Sequence, residues 1–422
     1  MREEFLYYVW QYKLLPIGVK TLFNEEVVIV HPGLRNHDSG PDFFNARVKI
    51  GDTLWAGNVE IHLRSSDWYR HGHQNDLMYE SIILHVVWEH DLIQQFSKEQ
   101  VGRTIELKDK IDLTLLDKYE SMMTSAGVVP CHNHLNRLDS IVFYKMCERS
   151  VFERLAEKQR EVQRHLEATR GDWEEAFYRV LARSFGLRVN ADGMEQLARS
   201  IPVRLVWRNI SNVKQAEALY LGQSGLLLGS WEDRWLIELQ NEYAYLSRLY
   251  HLKSMNPMVW KFARLRPISF PTLRIALFAS LIFSLQPLFS KLIGLRTVSE
   301  IIELMKVKAS DYWCHHYYPE RESTYHNVVI GQQLSELIII NAIVPFLFVH
   351  GQTNGDQIVV ERSIRILEEL PSEDNAMVRK WETMGIKCEN ALISQGLLWL
   401  DRSYCSRFRC LECGIGHAVL KR

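Results

Sequence analysis

The sequence is poor in several things. It has seven cysteines in 422 residues, at 131, 147, 314, 388, 405, 410 and 413, an odd number with three crowded near the end. That usage argues against a secreted disulfide framework and for a reduced, cytoplasmic setting. It has almost no net charge: 50 Lys and Arg face 51 Asp and Glu. A polybasic nucleic-acid coat and an acidic tail protein are both excluded, although a local basic groove is not. The opening MREEFLYYVW has two glutamates where a secretory leader needs a basic segment and then an unbroken apolar one. The most apolar stretches, IALFASLIFS after Arg274 and LIIINAIVPFLFV before His350, are short or interrupted by Asn341 and Pro345. They read as core helices, and no membrane partner is expected. No repeat of fixed period is present, which excludes a regular solenoid.

What is present has two grammars. At about 150 residues per domain the length suggests two or three domains. Phe5, Tyr8, Val9 and Tyr12 carry a helical stripe, and four β-rich runs follow: EEVVIV, FFNARVKI, TLWAGNVEIHL and SIILHVVW, with Gly51-Asp52 as a turn between the second and third. From Asp139 to about Leu400 long helical periods take over, among them WEEAFYRVLARSF, EDRWLIELQNEYAYLSRLY and TLRIALFASLIFSL. The expected fold class is α+β: an N-terminal α/β mixed-sheet domain over 1–125, a large all-α region over 139–400, and a small cysteine-containing knuckle over 401–422. The stretch SMMTSAGVVPCHNHL is the expected junction.

Polar chemistry is densest between Asp38 and His85. Side chains alternate along a strand, so Asn58, Glu60, His62 and Arg64 share one face and Trp55, Gly57, Val59, Ile61 and Leu63 the other. A hairpin closed at Gly51-Asp52 brings Asp42 close to the Glu60–His62 pair. With a strict two-residue turn, however, Asp42 lies opposite Ile61 and on the wrong face; a bulge or a three-residue loop corrects this. Carboxylates converging on an open position suit Mg²⁺ or Mn²⁺, and a metal that bridges phosphate and water drives phosphodiester hydrolysis. A second group, His71, His73 and Asp76 in H-x-H-x2-D spacing with His85 nearby, has donors suited to Zn²⁺ or Mn²⁺ and supports a metal-dependent hydrolase of another class.

Three further sets stand out. Cys405, Cys410 and Cys413, in C-x4-C-x2-C spacing, suit zinc or an iron–sulfur cluster, with His417, Cys388 or Cys131 as the fourth ligand. Lys261, Arg264, Arg266 and Arg274 lie among Trp260, Phe262 and Phe270, either as a nucleic-acid-binding surface or as a helix-to-helix corner set by Pro267 and Pro271. Cys314, His315 and His316 offer metal donors, but their aromatic flanks favour a packed core segment.

The order helix, strand, Pro41-Asp42 opening a strand, Glu60-Ile61-His62 on its hairpin partner, polar crossover, strand resembles the PD-(D/E)XK nuclease superfamily. The resemblance implies that Asp42 and Glu60 hold Mg²⁺ or Mn²⁺, that Glu4 or Glu3 on the first helix assists, and that His62 stands where the superfamily has lysine. It also implies a nuclease, or a nuclease-derived protein that binds nucleic acid. GPDFFNA, GNVEIHLRSSDW, HGH, LHVV, RLRPISFPTLRIA and the cysteine-bearing end together resemble, over nearly the whole chain, an uncharacterised bacterial family of unknown function. That second resemblance implies an architecture and no activity. A non-enzymatic helical scaffold that binds a protein partner is the remaining alternative.

Overall fold

The computed structural model describes residues 2–92, 103–125, 127 and 129–421. The chain forms two compact units, one of residues 1–146, 383–385 and 398–422, the other of 147–382 and 386–397. The architecture is α+β, with the sheet in the first unit.

Helix α1 (Glu3–Gln11) opens that unit. Glu3 and Glu4 sit in its first turn, where carboxylates favour the helix dipole, and Phe5, Leu6, Tyr8, Val9 and Trp10 are buried. The sheet is mixed. Strands β1 (Val27–His31), β3 (Phe43–Ile50) and β4 (Thr53–Arg64) run antiparallel in that order, and β2 (Leu34–Arg35) pairs the start of β3. On the far side of β4, β5 (Ile82–Glu89) and β6 (Thr104–Glu106) continue in parallel. The four expected strands are present; β2 and β6, two and three residues long, are too brief to leave a periodic signal.

The hairpin closes as the turn chemistry requires. Ile50 faces Thr53, and Gly51 has φ +55°, where an L side chain is strained. Farther along, the register shifts: Ala46 pairs Gly57 but Phe43 pairs Val59, so β3 carries one extra residue. Asn45, at φ +57°, lies in this bulge, and its backbone N–H donates to the Asn58 Oδ1. Burial follows the shift, with Ala46, Val48 and Ile50 inside on one side of it and Phe43 inside on the other. At the bulge level Gly57 has no room for a side chain, since a Cβ would stand 2.4 Å from Ile83 Cγ2 and 2.7 Å from the Ser81 carbonyl.

The C-terminal segment, expected as a unit of its own, clusters with the first unit. Its helix Gly414–Lys421 packs on α1: the Tyr8 hydroxyl lies 2.7 Å from His417 Nδ1, and the Tyr12 ring is 4.3 Å from the same imidazole.

The second unit is helical. Trp173–Phe185 coincides with its expected span and is capped by Asp172, which accepts from the N–H groups of Glu174 and Glu175. Helices Val213–Gln223 and Pro271–Ser284 lie at its centre, where Tyr178, Tyr220 and Phe278 pack ring on ring. Each such fully buried aromatic contributes about 1.5–3 kcal/mol of transfer free energy.

One expectation about the apolar runs needs correcting. Asn341 and Pro345 do not break the helical path from Gln332 to Asn354, which is 23 residues long and apolar enough to span a membrane by length and composition. A π-helical turn, Ile339–Ile343, absorbs the proline's missing donor, and Asn341 Nδ2 donates to the Leu337 carbonyl. Of its apolar window, 78% is buried.

The corner Lys261–Arg274 is set by Pro267–Ser269 and by Pro271 at the next helix start. Lys261 is tied down by its backbone, which exchanges hydrogen bonds with the Asn190 side chain. Lys261, Arg264 and Arg266 are exposed, whereas the Arg274 guanidinium is largely enclosed, is held down to about 10 by burial, and donates to Ser269 Oγ. Cys314 is buried, and His316 stacks flat on Tyr312 at 4.0 Å, as a packed segment would.

Candidate metal centre

The bulge in β3 determines what the hairpin can do. By adding one residue it moves Asp42 from opposite Ile61 to opposite Glu60, and both carboxylates fall on one face of the hairpin. The Asp42 N–H donates to Glu60 Oε2 at 3.2 Å, and the Ile61 N–H donates to Asp42 Oδ2 at 2.9 Å. Glu60 is 4% exposed, so two carboxylates share a site from which water is largely removed. Burial, then the Asp42 charge, pushes Glu60 up to about 9; burial likewise pushes Asp42 up to about 6. Such a pair is costly unless a cation or protons neutralise it.

The imidazoles supply the rest. His62, two residues along β4, shares the face of Glu60, and its Nε2 lies 3.4 Å from Glu60 Oε1. His85 sits beside Glu60 on the parallel neighbour β5, and its Nε2 lies 2.9 Å from His62 Nδ1. The crossover between these strands consists of α2 (Asp67–Arg70) and two 3-10 turns, His73–Asn75 and Leu77–Tyr79. It folds His71 and His73 back over the same face. Gly72 between them is left-handed at φ +77°, which lets an H-G-H segment bring both rings to the centre, His73 half-buried and His71 on its exposed side. His73 Nε2 reaches Glu60 Oε1 at 3.2 Å, and its ring stacks on Tyr79 at 3.8 Å. Ligand atoms of His62, His71 and His73 all lie within 4.8 Å of one another.

Burial favours the neutral form of His62, His85 and His73. Burial, then His85, drives His62 down to about 2; burial, then His73, drives His85 down to about 3; burial also lowers His73. A neutral imidazole presents a lone pair, the form in which it binds a metal.

The two clusters read separately in the sequence therefore form one site, with some reassignment. Of the two acidic candidates on α1, Glu3 faces the centre: it accepts from the Leu63 backbone N–H and from the Tyr7 hydroxyl at 3.5 Å, and its charge acts on both Asp42 and Glu60. Glu4 is exposed and acts on Tyr119 instead. Asp76 is exposed and caps the Leu77–Tyr79 turn by accepting from the Met78 N–H, so it serves the loop's shape. Asp67 accepts from the Arg64 N–H and pairs with Arg70 at 2.8 Å. At the cysteine-bearing end, His417 is engaged with Tyr8 and Tyr12.

Several residues escaped the sequence reading. Tyr7 hydrogen-bonds Asp42 and lies one turn after Glu3, a spacing that could have flagged it. The Arg35 guanidinium lies 5.0 Å from the Tyr7 ring centre and acts on Asp42, which puts a cation at the rim. Trp68, Tyr79, Ile82, Leu84, His85 and Arg103 line an adjoining cavity of about 120 Å³.

The model of a family described as a protein of unknown function (DUF2851) matches residues 3–376. The chain belongs to that family. The DUF2851 span takes in every carboxylate and imidazole of the centre and stops short of Cys388 and the three clustered cysteines. No curated protein and no solved structure gives a significant match to the chain.

Proposed function

We propose that this DUF2851 chain is a divalent-metal-dependent phosphodiester hydrolase acting on nucleic acid, with its metal held by Glu60 together with imidazoles of His62, His71 and His73. The observation that carries this reading is the convergence of Asp42, Glu60 and His62 on one end of a hairpin under the H-G-H loop. The strand order around that hairpin supports the resemblance to the PD-(D/E)XK nucleases, and the replacement of their lysine by His62 is matched by additional histidines nearby. Mixed oxygen and nitrogen donors favour Mn²⁺ or Zn²⁺ over Mg²⁺, which prefers oxygen alone.

In this reading the metal supplies a Lewis acid for the phosphate and for a water. Glu60 and the imidazoles hold it. Asp42, with a carboxyl poised near neutrality, accepts the proton of the attacking water. Glu3 and Tyr7 orient Asp42, and Arg35 at the rim faces the phosphate charge. The cavity beside His85 receives a group flanking the reacting bond.

The test is cleavage of single-stranded, duplex and flapped DNA and of RNA, with Mn²⁺, Zn²⁺ or Mg²⁺, by wild type and by Glu60→Ala. Metal-dependent cutting lost in the variant supports the assignment. Absence of cutting on every substrate, with Mn²⁺ bound and the fold intact, removes it.

A further inference from the structure

The hairpin that carries the two carboxylates continues beyond them to its turn, and this outer part has two unlike faces. Val27, Val48 and Ile50 point into the core and are buried. Pairing fixes what stands on the other face. Arg47 lies opposite Ala56, and Lys49 lies opposite Leu54 on β4 and Val28 on β1. Residues paired directly across strands share a face, and alternation along β4 puts Leu54, Ala56 and Asn58 on the face of Glu60 and His62. The face that bears the two cations is therefore the face of the candidate metal centre. At the rise of a strand, the level of Arg47 is about 13 Å from that of Glu60, and the level of Lys49 about 20 Å.

This face is open to solvent. Arg47 and Lys49 are exposed, and among the described residues neither forms an ion pair or a side-chain hydrogen bond. Between the turn and Glu60, β3 and β4 carry no acidic residue; Glu25, Glu26 and Asp52 lie at the turn end. Unpaired cations leading toward a phosphodiester-cleaving centre complement a polyanion. The side chains beside them are aliphatic, with Leu54 60% and Val28 49% exposed, so an apolar surface accompanies the charge. A single strand can lay unstacked bases on such a surface, whereas a duplex keeps its base faces hidden.

We propose that the outer face of the β1–β3–β4 hairpin is a track for single-stranded nucleic acid, in which Arg47 and Lys49 hold backbone phosphates, Val28, Leu54 and Ala56 lie under the bases, and the strand is led to the carboxylate–imidazole centre. The identity of the polymer rests on the phosphodiesterase reading given above.

The test is binding by the full chain of labelled single-stranded DNA and RNA oligomers, followed by fluorescence anisotropy over a series of KCl concentrations in EDTA, where no metal-dependent cutting occurs. Arg47→Ala and Lys49→Ala should each weaken binding and reduce the slope of log K against log salt by about 0.7, the effect of one lost phosphate contact on a single strand. Leu54→Ser should weaken binding and leave the slope unchanged. Lys261→Ala and Arg266→Ala, at the exposed corner of the second unit, should change neither. An unchanged slope in both hairpin variants overturns the proposal, as does a loss confined to the corner variants. Duplex bound as tightly as single strand also overturns it, and so does a self-associated chain that Leu54→Ser disperses, which gives the face to a second copy. Binding that depends on Arg47 and Lys49 without cleavage under any metal upholds the track and removes only the hydrolase reading. No oligomer binding at any salt concentration overturns both.

Discussion

His62 and His85 meet across neighbouring parallel strands, Nδ1 to Nε2 at 2.9 Å, and this contact leaves the other nitrogen of His62 facing Glu60. If His62 donates from Nδ1, its Nε2 lone pair is available to a metal, and His85 sets that tautomer from behind. His85→Ala should therefore weaken Mn²⁺ or Zn²⁺ binding about 10–100-fold, the usual effect of removing such a supporting partner. Isothermal titration reads this directly, and an unchanged affinity would show that His85 is only a packed core residue.

Glu3 and Glu4 offer a sharper contrast because they are adjacent and differ only in which way they point. Glu3→Gln removes a charge that acts on both carboxylates of the centre, and the cleavage rate should fall about 10-fold or more. Glu4→Gln should leave it within about two-fold, as expected of a surface change away from the site. The reverse order of effects would mean that α1 presents its other face to the substrate.

Gly72 has open space where a Cβ would go, so substitution there tests backbone strain without a clash. Gly72→Ala should cost about 1–2 kcal/mol, the left-handed penalty, and should reduce metal affinity by displacing His73. Gly72→Asn, whose side chain tolerates that conformation, should recover much of both. Chemical denaturation and metal titration of the two variants check the ordering.

In the second unit, Glu217 is fully buried and accepts from the Ser310 N–H at 2.7 Å and from Trp313 Nε1 at 3.1 Å. Burial pushes its carboxyl up from 4.5 to about 7. The folded chain thus keeps a proton that the unfolded chain has already released, and stability should fall as pH rises through this window. The size of the loss is about 3 kcal/mol, most of it complete above neutrality. Urea unfolding below and above the window measures it, and Glu217→Gln should flatten the dependence.

The strands and the main helices were legible because each has its own period: β3 and β4 alternate, and Trp173–Phe185 repeats on one face between Asp172 and Gly186. The site was legible in its parts and not in its unity. Glu60 and His62 share a face by simple alternation, whereas the return of His71 and His73 depends on one left-handed glycine in a loop without periodicity. Which of Glu3 and Glu4 turns inward depends on how α1 lies against β4, a tertiary fact.

The bulge at Asn45 carries a lesson about motif spacing. Residues facing each other across a hairpin with a two-residue turn always have numbers of opposite parity, and Asp42 and Glu60 are both even. One inserted residue reconciles them. Deleting it would leave every chemical group of the centre in the sequence, at nearly the same spacing, and turn the aspartate into the apolar layer behind the sheet. Whether two carboxylates at this spacing share a face of a hairpin thus depends on an odd or even count, a distinction invisible to any search for the residues alone.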